Sequence, residues 1–241
     1  MAKRSVLFGE LTSKEAKALA KMRKKPIVIL PMGALEAHGE HLPLWSDSVV
    51  PFELAKRVAE RTGALVLPPV EYGFCYTLRP WAGTVSLKSE TFAAIIRDIT
   101  RELVRNGFDR ILFMNGHGAN ATVAGHVLKE LSDELSFTAC VVSWWELREL
   151  SKMLGASTGH ADESEASMVM AVSGWEKRPS KQTACQRYFG RVIPMPKGQF
   201  SKYGYAGKVG GESLALGKKM EKIVVEKLAK LVKAGLLLRD G

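Results

Sequence analysis

Cysteine is scarce and unpatterned: Cys75, Cys140 and Cys185 are odd in number and none has CxxC spacing. That excludes a disulfide framework and a cysteine-ligated zinc site, and leaves the three to pack. Long apolar runs are missing too. No uninterrupted stretch approaches the roughly 18–20 residues needed to cross a bilayer, and the opening MAKRSVLFGELTSKE turns polar too early for a secretory h-region. These absences predict a cytoplasmic protein with no membrane partner. Internal repeats, low-complexity tracts and linker-like stretches are also absent, so residues 1–241 are expected to form one domain.

Acidic residues are outnumbered, 25 Asp and Glu against 35 Lys and Arg, which leaves a formal charge of +10. Clustered basic residues would neutralise phosphates and point to nucleic acid. Here the richest runs, 21–25 and 218–233, read as a short helix end and an amphipathic helix interleaved with Glu221 and Glu226, the pattern of a solvated face. No RNP, zinc-finger or helix-turn-helix signature accompanies them. A basic nucleic-acid-binding protein is therefore the weaker reading, and no nucleic-acid partner is expected. The surplus charge suits attraction of an anionic small-molecule substrate.

What is present is an alternation of amphipathic helices with short apolar strands, the pattern of an α/β protein whose mostly parallel sheet is covered on both faces. Thr12 or Ser13 caps a first helix running to about Arg23. IVILPMG after Pro26 suits a strand buried on both sides. A helix over 50–61 is closed by Gly63, and ALVLPPV follows as a second strand. The next helix, capped by Ser89, buries Phe92, Ile95, Ile96, Ile99 and Leu103 and ends at Gly107. RILFMN and TACVVSWW are the third and fourth strands, with helices ATVAGHVLKELSDEL, ESEASMVMAV and 212–236 after or between them. Residues 174–211, rich in Pro, Gly, Lys and aromatics, are expected to form loops and a mixed-sheet edge, with one strand at YFGRVIP.

Chemistry concentrates at strand ends. Glu36 and His38 in PMGALEAHGEHLPLWSDS follow the first strand, and His117 in FMNGHGANA follows the third, within the 115–120 turn. In an open α/β sheet the site lies beyond the carboxyl ends of the strands, so these segments should converge there. Imidazole with carboxylate suits zinc, manganese or iron, and a carboxylate can bridge two such ions where an imidazole cannot. Asp47 is the candidate bridge, although with Ser46 it also suits the cap of a helix starting near Val50. Glu36 and His38, two apart in an extended segment, point to one side. His41 is a rival ligand that can equally bond backbone.

In GHADESEAS, His160 precedes a helix whose first turn holds Asp162, Glu163 and Glu165. His160 would protonate a leaving nitrogen; Glu163 is placed beside it in catalysis, and Glu165 in the second metal's shell, although either glutamate can fill that place. Trp144 and Trp145 end the fourth strand, and Trp145 would form a wall for a flat substrate, with Tyr76 and Trp81 on the other side and Gly118 beside His117. His126 is expected to be structural. Taken together, these residues point to a metal-dependent hydrolase, with water made reactive at neighbouring divalent ions.

These motifs resemble the creatininase family of amidohydrolases. PMGALEAHGEHLPLWSD is similar to its G-x-x-E-x-H-G-x-H-L-P-x-x-x-D signature, FMNGHGAN to its N-G-H-G-x-N turn, and GHADESEAS to its H-A-G-E-x-E-x-S helix start. The resemblance implies a creatininase-like three-layer α/β/α sandwich, two divalent metal ions per subunit and a homo-oligomer, frequently a hexamer. It also implies that Glu36, Asp47 and His117 hold one ion while His38 and Asp47 hold the other. Ala119 and Ala156 stand where creatininase itself carries a glutamate and a tryptophan, which argues against creatinine as substrate, and Asp162 replaces the glycine of H-A-G-E. The archaeal branch that deformylates a formylamino-pyrimidine ribonucleotide on the way to riboflavin and deazaflavin resembles the chain at least as well. The ranked alternatives within enzymes are a creatinine-type cyclic amide hydrolase and a ring-opening hydrolase of a sugar-like ketone.

Overall fold

A computed structural model describes residues 5–154, 159–186 and 193–237. Four strands, β1 (Val28–Met32), β2 (Leu65–Val66), β3 (Arg110–Asn115) and β4 (Thr138–Ser143), form an all-parallel sheet in the order β2-β1-β3-β4. The central pair runs in register from Val28 opposite Ile111 to Met32 opposite Asn115. Both strands therefore end at the same level, and the segments carrying Glu36 and His117 leave the sheet side by side.

Side chains alternate across the sheet, as the two-residue strand period requires. Val28, Leu30, Met32, Ile111 and Phe113 face α3 (Ser89–Arg105) and α4 (Gly118–Leu131), packing with Phe92, Ile96, Val127 and Leu131. Ile29, Leu112 and Met114 face the other way, toward α2 (Ser46–Thr62), α6 (Glu163–Ser173) and α7 (Leu214–Lys233), where Leu54, Val58, Met168, Val169, Met220 and Val224 complete a second core. This is the expected three-layer α/β/α sandwich. Burying a side chain such as Phe92 or Ile96 contributes roughly 1.5–3 kcal/mol. Among the described residues no helix is long and apolar enough to cross a membrane.

Local boundaries differ where tertiary contacts intervene. Thr12 caps α1 (Ser13–Ala20) in a capping box with Glu15, and that helix stops three residues short of Arg23. Lys88, not Ser89, is the N-cap of α3, and the Ser89 hydroxyl turns to Glu90 instead. ALVLPPV yields only the two-residue β2. Trp144 and Trp145 leave β4 for a 3-10 turn, Trp144–Glu146, followed by an unforeseen short helix α5 (Arg148–Leu154). Among the described residues of 174–211 there is no mixed-sheet edge; YFGRVIP lies mostly outside the described residues, as does Ala156. The shift that bears on the site is in α2, which starts at Ser46 rather than near Val50.

Candidate metal centre

The early start of α2 puts Asp47 inside its first turn, with Trp45 as N-cap, so Asp47 is not a cap. Two glycines make this placement possible. A Cβ on Gly33, just after β1, would lie 2.2 Å from Ser48 Oγ, and one on Gly116, just after β3, would lie 1.9 Å from the Asp47 carbonyl and 2.8 Å from Pro51 Cγ. Pro51, lacking an N–H, gives nothing back to that carbonyl four residues earlier. The helix start thus sits directly on the ends of the central strands, which directs the Asp47 carboxylate between the two motif loops.

Each loop is fixed by its own hydrogen bonds. The Asn115 side chain accepts from the His117 N–H at 3.1 Å and donates to the His117 carbonyl at 2.8 Å. Asn120, fully buried, accepts from the Phe74 N–H and donates to the Gly33 carbonyl, tying α4 to the end of β1.

Backbone carbonyls decide the proton positions on three imidazoles. A carbonyl only accepts, so the ring nitrogen facing it must carry hydrogen. His38 donates from Nδ1 to the Glu36 carbonyl (3.0 Å), His117 from Nε2 to Phe74 (3.0 Å), and His160 from Nε2 to Ala37 (2.8 Å). The remaining nitrogens all face carboxylates. His38 Nε2 is 3.0 Å from Asp47 Oδ1 and 3.5 Å from Glu165 Oε1. His117 Nδ1 is 2.9 Å from Asp47 Oδ2 and 3.1 Å from Glu36 Oε1, and His160 Nδ1 is 3.5 Å from the same Glu36 oxygen.

Three overlapping groups of donors result: Glu36, Asp47 and His117; His38, Asp47 and Glu165; and Glu36, His38 and His160, each with donor atoms within 4.8 Å of one another. Asp47 presents one oxygen to each of the first two groups. Glu36 is wholly buried, and neither of its carboxylate oxygens makes a hydrogen bond; His117 lies within ion-pair distance but outside hydrogen-bond geometry. Three carboxylates packed this way demand positive charge. Burial alone would lower the two imidazoles, but Asp47 and Glu165 hold His38, and Glu36 and Asp47 hold His117, well above the usual histidine range. Asp47, which burial would raise, is held far below the carboxylate range by His38 and His117. Divalent cations meet the same demand, and inward nitrogens with outward N–H groups tied to carbonyls are how ligating histidines are oriented. The donor set therefore fits a pair of such ions.

The other expected site residues are placed around this cluster unequally. Glu165 is brought in because its Oε2 accepts the Ala161 N–H at 2.6 Å, leaving Oε1 for His38. Glu163, two residues earlier, points to nearly the opposite side of α6, as about 100° per residue requires; its carboxylate packs on Gly211, and it belongs to none of the three groups. Asp162 caps α6 through the Ser164 and Glu165 N–H groups, and also accepts from the Gly159 N–H and the Ser164 hydroxyl. His41 bonds the Ala161 carbonyl and joins no group, and His126 is exposed on α4.

Of the aromatic candidates, Trp81 stands 5.7 Å from Phe200, which in turn stands edge-on to His160 at 5.7 Å. Phe200 was not foreseen, since only its aromatic-rich surroundings hint at it. Tyr76 is exposed beside Phe74, with Arg79 over its ring. Trp145 packs edge-on to the buried Trp144 and against the core. Gly118 opens α4, with empty space where a side chain would be.

Known proteins align with this arrangement over most of the chain. Residues 9–232 match the creatininase family, described as creatinine amidohydrolase. The creatinine amidohydrolase of Pseudomonas putida is 34% identical over 189 residues, covering 70% of this chain and 72% of that protein. A mycofactocin precursor peptide peptidase of Mycobacterium ulcerans is 28% identical over 162 residues, 61% of this chain and 59% of that one. A solved manganese creatininase superimposes with a TM-score of 0.84 at 27% identity, over 98% of this chain and 100% of that structure. The chain belongs to the creatininase family of amidohydrolases.

Proposed function

We propose that this chain is a two-cation hydrolase of a non-peptide carbon–nitrogen bond in a formamide or cyclic amide, with deformylation of a formylamino-pyrimidine ribonucleotide as the specific reaction. The observation that carries the reading is the shared Asp47 carboxylate between two three-donor groups, beside a buried Glu36 with no hydrogen bond. Glu36, Asp47 and His117 would hold one ion, and His38, Asp47 and Glu165 the other. Such ions supply Lewis acidity, which makes water nucleophilic near neutral pH and polarises a carbonyl.

The remaining chemistry belongs to the side chains. His160 has its Nε2–H committed to the Ala37 carbonyl, so Nδ1 is the atom through which it takes up and delivers a proton. Its side chain is 18% exposed, more open than any of the carboxylates around it, which suits proton delivery to a leaving nitrogen. General acid catalysis of this kind is typically worth about 100- to 10,000-fold. Trp81 and Phe200 give the rim beside His160 an apolar, flat edge suited to a planar ring. Ala119 in place of creatininase's glutamate argues against creatinine, and the second group draws its carboxylate from Glu165. The charge of +10 favours a phosphorylated substrate.

Elemental analysis followed by a screen of formamides and cyclic amides, with products read by mass spectrometry, tests the reading. Formate or a ring-opened acid is the expected product. A protein that cleaves only peptides, or only a carbon–carbon bond in a sugar-like ketone, would overturn it. In the same assay His160→Ala should keep both ions and lose at least about a hundredfold in turnover; an active variant removes His160 from the mechanism.

A further inference from the structure

His41 is the buried imidazole that the cation groups leave unused. It is 3% exposed and sits three residues after His38, in the same loop. Its Nε2 lies 3.0 Å from the Ala161 carbonyl, so that nitrogen is the donor. The ring is pressed against Gly39, where a Cβ would come within 2.7 Å of Nδ1.

The two segments are joined a second time in the opposite sense, by His160 Nε2 donating to the Ala37 carbonyl at 2.8 Å. Each histidine thus grips the residue beside the other segment's reactive side chains: Ala37 lies between Glu36 and His38, and Ala161 follows His160. Ala161 is wholly buried at φ 51, a left-handed conformation that a residue with a Cβ rarely adopts. Its N–H is the donor that turns Glu165 so that Oε1 faces His38. One backbone conformation therefore sets both the direction from which His160 approaches and the oxygen that Glu165 offers.

We infer that His41 is a positioning residue: its hydrogen bond to the Ala161 carbonyl holds the turn after His160 left-handed, and thereby presents Glu165 to the second cation group and sets the approach of His160 to Glu36. The inference rests on the two-cation reading for its functional part. Neither cation is needed for its geometric part, the dependence of Ala161 on His41.

Four proteins test it: His41→Leu, His41→Gln, Ala161→Gly and the His41→Leu/Ala161→Gly double variant, each titrated with Mn2+ by calorimetry and melted in the metal-free form. His41→Leu should bind its first Mn2+ as wild type does and its second at least about tenfold more weakly, the scale of losses on removing a group that orients a ligand. His41→Gln, which keeps a donor, should stay close to wild type. Ala161→Gly should restore second-site affinity to the leucine variant, because glycine takes a positive φ without the hydrogen bond. A histidine that merely fills space would be replaced well by leucine and would not be rescued at position 161. Unchanged second-site affinity in His41→Leu, or no rescue by Ala161→Gly, overturns the inference. Wild-type protein binding fewer than two Mn2+ counts against the two-cation reading instead. Melting then judges the clamp: Ala161→Gly must raise the midpoint more in the His41→Leu background than in wild type, and equal shifts overturn it.

Discussion

Gly116→Ala should damage both the fold and the cation pair, although the residue offers no ligand atom. The added Cβ would stand 1.9 Å from the Asp47 carbonyl, where separations under 3.0 Å essentially never occur, so at least about 1.1 Å must open between the end of β3 and the start of α2. Pro51 Cγ at 2.8 Å blocks a simple slide of the helix along the strand end. Retreat of the helix carries Asp47 away, and retreat of the strand end carries His117, the next residue. Ligand distances tolerate only about 0.2 Å, so either movement exceeds the tolerance several-fold. Overpacking of this kind costs about 1–3 kcal/mol, which in a chain of this size lowers the melting midpoint by about 2–12 °C. Differential scanning fluorimetry of metal-free protein reads the first effect and Mn2+ calorimetry the second. A variant that melts with wild type and binds two ions at wild-type affinity would refute the close packing of α2 on the strand ends.

Further predictions follow from the same geometry. Asp47→Asn should abolish uptake of both ions, whereas Glu36→Gln should lose the ion shared with His117 and spare the other; elemental analysis showing equal losses would contradict a bridging Asp47. Ion binding should weaken on acidification: the carboxylates keep protons on His38 and His117 well above the ordinary histidine range, and cations must displace them, costing up to about tenfold in affinity per pH unit per proton. Calorimetry in buffers of different ionisation enthalpy counts those protons, and none released would defeat the argument. In metal-free protein the stability contributed by these raised histidines is complete below their unfolded value near 6.5 and is lost as pH rises through the folded values, so its melting midpoint should fall toward alkaline pH. Asp162→Ala removes the cap of α6 and should cost about 0.5–2 kcal/mol, seen as a lower midpoint.

Much of the fold and of the candidate site is legible in the sequence alone. The apolar runs VILPM and ILFM, alternating with amphipathic helices, point to a parallel sheet covered on both faces, because a strand buried on both sides is built mostly of apolar residues. Glu36, His38, Asp47, His117 and His160 stand out because they follow strands or begin helices, where an open sheet gathers its loops. Tertiary structure alone decided the orientation of these groups. The tautomers of His117 and His160 depend on carbonyls of Phe74 and Ala37, 43 and 123 residues away, whereas that of His38 is set locally by the Glu36 carbonyl. That Glu165 rather than Glu163 faces His38 depends on the rotation of α6, which is packed on α7 so closely that a Cβ on Gly217 would meet the Ser167 carbonyl at 1.8 Å. Local periodicity says which residues share a face; only the packing of one element on another says where that face points.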